Sequence, residues 1–134
     1  MKRIGIAAAA ILLAAGGGAQ PNGMVILLTD YGADSIYIGV LKGAIYTKFP
    51  EAKVDSITNS IPAFDIVAGA YILAEACREF PAGTTFCCIV DPGVGTSRKC
   101  IVLETKTGQR FVAPDNGLLT LIEDGPKALL EPEN

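Results

Sequence analysis

The sequence predicts an α/β fold, a mostly parallel sheet flanked by helices, and three observations point to it. The runs Met24-Val25-Ile26-Leu27-Leu28-Thr29 and Thr84 to Val90 are apolar throughout. Strands without polar alternation are those buried on both faces. Segments with helical spacing separate the strands, giving the order strand, helix, strand, helix, strand, and parallel neighbours need such crossovers. The chain has 134 residues, half of them apolar and 19% charged, which suits one globular domain rather than two or a disordered chain.

After the first strand, Asp30-Tyr31-Gly32-Ala33-Asp34-Ser35 is rich in turn formers. Apolar residues then recur at helical spacing from Ile36 through Val40, Leu41, Ala44 and Ile45 to Phe49, and Pro50 stops that helix. Lys53-Val54-Asp55-Ser56-Ile57 alternates as a second strand does, and Asn59 to Phe64 is loop. Asp65 is placed to cap a helix over Ile66 to Phe80, with Val67, Ala70, Tyr71, Ala74 and Ala76 as its apolar side. The third strand is Thr84 to Val90, and Asp91 to Lys99 is a Gly-bearing loop. Cys100 to Thr105 and Arg110 to Ala113 form a hairpin, Pro114 to Gly117 is a turn, and Leu118 to Ile122 begins a short helix.

Charge and composition remove several functions. Eleven Lys and Arg against fourteen Asp and Glu leave a net charge of −3, with no basic surplus for nucleic acid. The chain has no His, so Ser-His-Asp and Cys-His nucleophiles and His-bearing metal sites are absent from it. Four Cys, at 77, 87, 88 and 100, lack any Cys-x-x-Cys spacing, which leaves a zinc site unsupported. Cys87-Cys88 lie in an apolar run and read as core packing, although an exported protein can form disulfides.

Met1-Lys2-Arg3 is cationic, Ile4 to Ala15 carries no charge, and Gly16-Gly17-Gly18-Ala19 is small throughout. That order is a secretory signal, with cleavage expected after Ala19 and a secreted or periplasmic product. The apolar run is shorter than the roughly 20 residues of a membrane span, so no membrane is expected in the mature form. The remaining domain is residues 20–134.

In parallel α/β sheets the ligand crevice lies at the carboxyl ends of the strands. Here three loops converge there, led by Asp30, by Asn59 to Phe64, and by Asp91. Asp30 can accept both hydroxyls of a ribose, or it can cap the next helix or brace its turn. Phe64 can stack on a flat base or join the core. Asp91 and Arg98 can meet across a tight loop, either as an oriented carboxylate that positions water or as an ion pair pinning a turn. Gly93-Val94-Gly95 allows close backbone approach, but its spacing is not that of a phosphate-binding loop.

Five segments occur in order: Leu28-Thr29-Asp30-Tyr31-Gly32, Gly39-Val40-Leu41-Lys42-Gly43, Ile61-Pro62-Ala63-Phe64-Asp65-Ile66, Val90-Asp91-Pro92-Gly93-Val94-Gly95-Thr96, and Ala113-Pro114-Asp115-Asn116-Gly117-Leu118-Leu119. Together they resemble the S-adenosyl-L-methionine (SAM) hydroxide adenosyltransferases, the SAM hydrolases related to fluorinase and chlorinase. The resemblance runs from about Met24 to Ile122. It implies the N-terminal domain of that fold and a hydrolase that splits SAM into adenosine and L-methionine by attack of water or hydroxide on the ribose 5′ carbon. SAM is then the small-molecule substrate, and no metal or cofactor is implied. By the same resemblance Asp91 matches the catalytic Asp, Arg98 the catalytic Arg, Asp30 the ribose-binding Asp, and Phe64 an aromatic contact to substrate. Asp34 and Tyr37 lie where methionine-end contacts belong. Retention of Asp91 favours water over halide, because halide binding suits a loop without a carboxylate.

The chain departs from the family pattern in two places. Thr58-Asn59 stands where members commonly have Thr-His, and the family's His-Gly-Arg-Asp segment and second, β-barrel domain are not in this sequence. The resemblance implies a homotrimer in which that barrel closes the site of a neighbouring subunit. The expectation is therefore a truncated domain with impaired turnover and an exposed sheet edge. The alternative is a non-catalytic nucleoside- or SAM-binding protein.

Overall fold

The structure, a computed structural model, describes residues 20–92 and 97–122. The signal expected over residues 1–19, the glycine segment 93–96 and residues 123–134 lie outside the described residues. Strand β1 is Met24–Thr29, followed by helix α1 (Ile36–Lys48), β2 (Lys53–Thr58), helix α2 (Ile66–Cys77), β3 (Thr85–Ile89), β4 (Cys100–Glu104) and β5 (Arg110–Pro114). They form one five-stranded sheet in the order β2-β1-β3-β5-β4. The expected mostly parallel sheet is present: β1 pairs parallel with β2 and β3, β3 pairs parallel with β5, and only β4 runs antiparallel, on β5. Among the described residues, no helix is long and apolar enough to cross a membrane.

Burial follows the sequence pattern. Residues Val25 to Thr29 of β1 are all buried, as a central parallel strand requires, whereas β2, at the sheet edge, has no fully buried residue. Two apolar layers sandwich the sheet. One face packs Ile26, Leu28, Phe86, Cys88 and Phe111 against Leu73 and Cys77 of α2. The other packs Val25, Leu27, Cys87 and Val112 against Leu41 and Ile45 of α1. The two helices thus cover opposite faces, which is the doubly wound arrangement.

The helices bury Leu41 and Ile45, and Ala70 and Ala74, as expected, but the rest of each stripe differs. In α2 the buried residues are Gly69, Ala70, Leu73, Ala74 and Cys77, while Val67 and Tyr71 are exposed. The helix is apolar nearly all round, so spacing alone did not reveal which side faces the sheet. Gly69 decides it. A Cβ there would stand 2.9 Å from Leu118 Cδ1 and 3.4 Å from Val90 Cγ2, so its missing side chain lets α2 settle against the core. In α1 the buried residues are Ile38, Leu41 and Ile45, and Ile36 and Val40 face outward.

Two further expectations need correction. Helix α2 ends at Cys77 rather than Phe80, because the buried Gln109 amide reaches across from the hairpin. Its Nε2 donates to the carbonyls of Cys77 and Phe80, both at 2.8 Å, satisfying acceptors the helix end leaves open. Leu118 to Ile122 forms turns rather than a helix, closed by Thr120 N–H to Gly117 O and Ile122 N–H to Leu119 O. Those turns bury Leu118, Leu119 and Ile122 together in the α2-side layer.

All four thiols are free; Cys77, Cys87 and Cys88 are core residues, as packing predicts, and Cys100 is exposed on the edge strand. Burial pushes the Cys87 thiol from its usual 9.0 up to about 12, with Cys100 adding to the effect, and pushes Cys88 well up in the same direction. The unfolded chain therefore gives up these protons first as pH rises. This contribution to stability is complete below about pH 9 and is lost progressively toward pH 12. Urea midpoints should fall between pH 8 and 10.5 and fall less in Cys87→Val; equal slopes in both proteins would contradict this assignment.

Candidate active site

The chain order creates a crevice. From β1 the chain passes through α1 to β2 on one side, then returns through α2 to β3 on the other side of β1. The connections reverse direction between β1 and β3, and in open α/β sheets that point, at the carboxyl ends, is where ligands bind. Thr29 pairs with Ile89, so Asp30 and Asp91 leave adjacent strands almost level with each other.

Asp91 and Arg98 meet as spacing allowed: Arg98 Nη1 donates to Asp91 Oδ1 at 3.1 Å. The Asp91 side chain is 12% exposed and that of Arg98 29%, so the pair sits at the mouth of the crevice rather than in the core. The peptide ahead of Asp91 is clamped, because Asn116 Nδ2 donates to the Val90 carbonyl at 2.8 Å. The Pro114 to Gly117 turn is thus a brace for the end of β3. Its Asn116 side chain also accepts the Leu118 N–H, and Gly117 takes the left-handed conformation at φ 92° that such a turn needs.

The alternatives for Asp30 and Phe64 narrow in the structure. Ser35, not Asp30, caps α1, its hydroxyl accepting from Tyr37 N–H at 3.2 Å. Asp30 instead accepts the Phe64 N–H on Oδ2 at 2.8 Å, and among the described residues this is the one donor to its carboxylate. Phe64 is 64% exposed, which excludes the core reading. It also holds φ 64°, a left-handed conformation costing a bulky residue roughly 1–2 kcal/mol. An aromatic side chain kept outside the core by a strained backbone is a feature that function, more than packing, accounts for.

Around these residues Tyr37 packs edge-on against Tyr31, with ring centroids 6.3 Å apart, and Asp34 is exposed in the turn before α1. Burial pushes the Tyr31 phenol up to about 12, helped by Cys87 and Asp30, so it remains a neutral donor at ordinary pH. Sequence reasoning missed the role of Thr29 and undervalued Asn59. The Thr29 hydroxyl donates to Asn59 Oδ1 at 3.0 Å, and Asn59 Nδ2 donates to Ser56 Oγ at 3.0 Å. A hydroxyl residue at the end of an otherwise apolar strand was the available signal. Among the described residues, no group of three or more Cys, Asp and Glu side chains is placed to hold a metal ion.

The arrangement offers a carboxylate–guanidinium pair to orient a small nucleophile, a second carboxylate for hydroxyl groups, and an exposed aromatic ring for a flat group. Comparison with known proteins gives the chain's family. Residues 25–133 match the SAM hydroxide adenosyltransferase N-terminal domain. A protein of Methanocaldococcus jannaschii named (R)-S-adenosyl-L-methionine hydrolase is 40% identical over 107 residues, covering 75% of this chain and 40% of that protein. A fluorinase of an Actinoplanes species is 23% identical over 126 residues, covering 78% of this chain and 42% of its own. The crystal structure of an uncharacterized conserved protein from Thermotoga maritima superposes with a TM-score of 0.71 at 44% identity, covering 75% of this chain and 38% of that one. The chain spans about 40% of the length of the curated relatives it matches. It belongs to the SAM hydroxide adenosyltransferase family, as an N-terminal domain of that family.

Proposed function

We propose that the protein carrying this domain hydrolyses SAM to adenosine and L-methionine. The observation that carries the reading is the Asp91–Arg98 pair at the crevice between β1 and β3, one strand away from Asp30. Water held by Asp91 attacks the ribose 5′ carbon. The C5′–S bond breaks with its electron pair going to sulfur, so the sulfonium becomes the neutral thioether of methionine, and the water passes a proton to the Asp91 carboxylate. A sulfonium is already a good leaving group, and the protein's main task is to hold nucleophile and carbon in line. Asp30 takes the ribose hydroxyls and Phe64 lies against the substrate's flat portion. The relatives named as hydrolases, at 36–40% identity, are closer than the fluorinases at 22–24%, which supports water rather than halide as nucleophile.

The test is turnover in oxygen-18 water with fluoride and chloride arms. Label in the adenosine 5′-hydroxyl is the expected result; unlabelled adenosine or a 5′-halogenated product would sink the proposal. A second reading is nucleoside binding without turnover, through the same Asp30 and Phe64 loops. It predicts adenosine binding with no methionine released.

Two coarser features belong to the same proposal. Residues 1–19 direct export, and amino-terminal sequencing of the secreted product should begin at Gln20; retention of Met1 would overturn this. The assembled protein is a homotrimer, a reading supported by the exposed Ile36, Tyr37, Val67 and Tyr71. Sedimentation of the assembled protein as a monomer would contradict it.

A further inference from the structure

Asp30 sits on a short loop that another loop laces down from both sides. Ahead of it, the Thr29 hydroxyl, wholly buried, donates to Asn59 Oδ1 at 3.0 Å and accepts the Tyr31 N–H at 3.2 Å. Behind it, the Gly32 N–H donates to the Asn59 carbonyl at 2.7 Å. The Thr29 carbonyl accepts the Ile61 N–H at 3.2 Å, and Asp30 Oδ2 accepts the Phe64 N–H at 2.8 Å. Asn59 is itself anchored to its own strand end through Ser56 Oγ, at 3.0 Å. That anchor lies where the pairing of β1 with β2 slips register, Leu27 facing Ser56 and Leu28 facing Thr58. Such a slip re-aims a strand end beside a site.

We propose that the Thr29 hydroxyl and the Asn59 amide are a positioning pair that sets the orientation in which Asp30 presents its carboxylate to a vicinal diol. The pair deepens the ribose reading given above and rests on it. Neither residue needs to touch substrate. One Asp30 oxygen is already committed to Phe64, so a small rotation of the loop decides whether the carboxylate meets two hydroxyls or one. The network is part-buried around the wholly buried Thr29, which shields its inner bonds, while the Asp30–Phe64 bond at its rim is exposed where a ligand can meet it. The lacing also couples the residue assigned to ribose with the backbone of the residue assigned to the base.

The experiment uses the full chain with Thr29→Val, which keeps shape and removes the hydroxyl, and Thr29→Ser, which keeps the hydroxyl. Asn59→Ala breaks the same contact from the less buried side, in case Thr29→Val folds poorly. Amide exchange at Phe64, which Thr29 does not touch, is followed by NMR beside titrations with adenosine and 2′,3′-dideoxyadenosine. Thr29→Val and Asn59→Ala should each speed Phe64 exchange by about tenfold. Both should also weaken adenosine while leaving dideoxyadenosine unchanged, and Thr29→Ser should behave as wild type. Wild-type exchange at Phe64 in Thr29→Val and Asn59→Ala, or equal weakening of both nucleosides, overturns the positioning pair alone. Equal affinity of the unmodified chain for the two nucleosides overturns the ribose reading itself, and the proposal with it.

Discussion

Asp91→Asn is expected to lower the proposed release of adenosine from SAM by at least about 10²-fold, the usual scale for losing a group that assists proton transfer. The substitution is nearly isosteric and keeps an oxygen facing Arg98 Nη1, so the loop loses charge while its contact survives. What disappears is the anion to which the proposal gives the orienting of the attacking water and the acceptance of its proton. Binding should be affected far less, because the proposal holds adenosine from β1 and the Asn59 to Phe64 loop. Steady-state assay beside adenosine titration separates the two effects. Turnover at the wild-type rate would mean that the Asp91–Arg98 pair only pins the loop.

Phe86→Ala destabilises the domain by about 3–5 kcal/mol, the range for emptying a buried aromatic site. Phe86 is fully buried near the start of β3, stacked on Phe111 with centroids 4.7 Å apart and edge-on to Phe80 at 5.4 Å. Three rings from different elements converge there, and the sheet above them cannot collapse into the void. Domains are typically stable by only about 5–15 kcal/mol, so a large share of the reserve is lost. Urea unfolding followed by circular dichroism measures it. A loss below about 1 kcal/mol would place the core elsewhere.

Much of this arrangement was legible in the sequence. The apolar runs identified β1 and β3, Asp65 marked the start of α2, and the alternation at Lys53 to Ile57 marked the second strand. Strand order followed less directly, yet the three polar strand ends converge as the parallel-sheet rule requires. The spacing of Asp91 and Arg98 allowed the ion pair that is found. Long-range choices were not legible. Which stripe of α2 faces the sheet depends on a close approach at Gly69 by Leu118, forty-nine residues away. The end of α2 depends on a side chain from the hairpin, Gln109. The bond from Asp30 to Phe64 joins two loops through a left-handed residue, and no local preference of Phe favours that conformation.

The same limit explains why Asn59 stood out only as a departure from a family pattern. Its importance lies in two bonds to the β1 loop, at Thr29 and Gly32, which chain spacing does not encode. Once the strands are aligned, the loop carrying Asp30 and the loop carrying Phe64 act as one unit beside the end of β3.

Calorimetric titration of adenosine into the full chain, beside Asp30→Ala, tests most directly whether these loops form a nucleoside site. The account predicts saturable one-site binding that disappears in Asp30→Ala while the variant keeps the wild-type circular dichroism spectrum. Binding of equal strength in both proteins, or none in a folded wild-type chain, would contradict it.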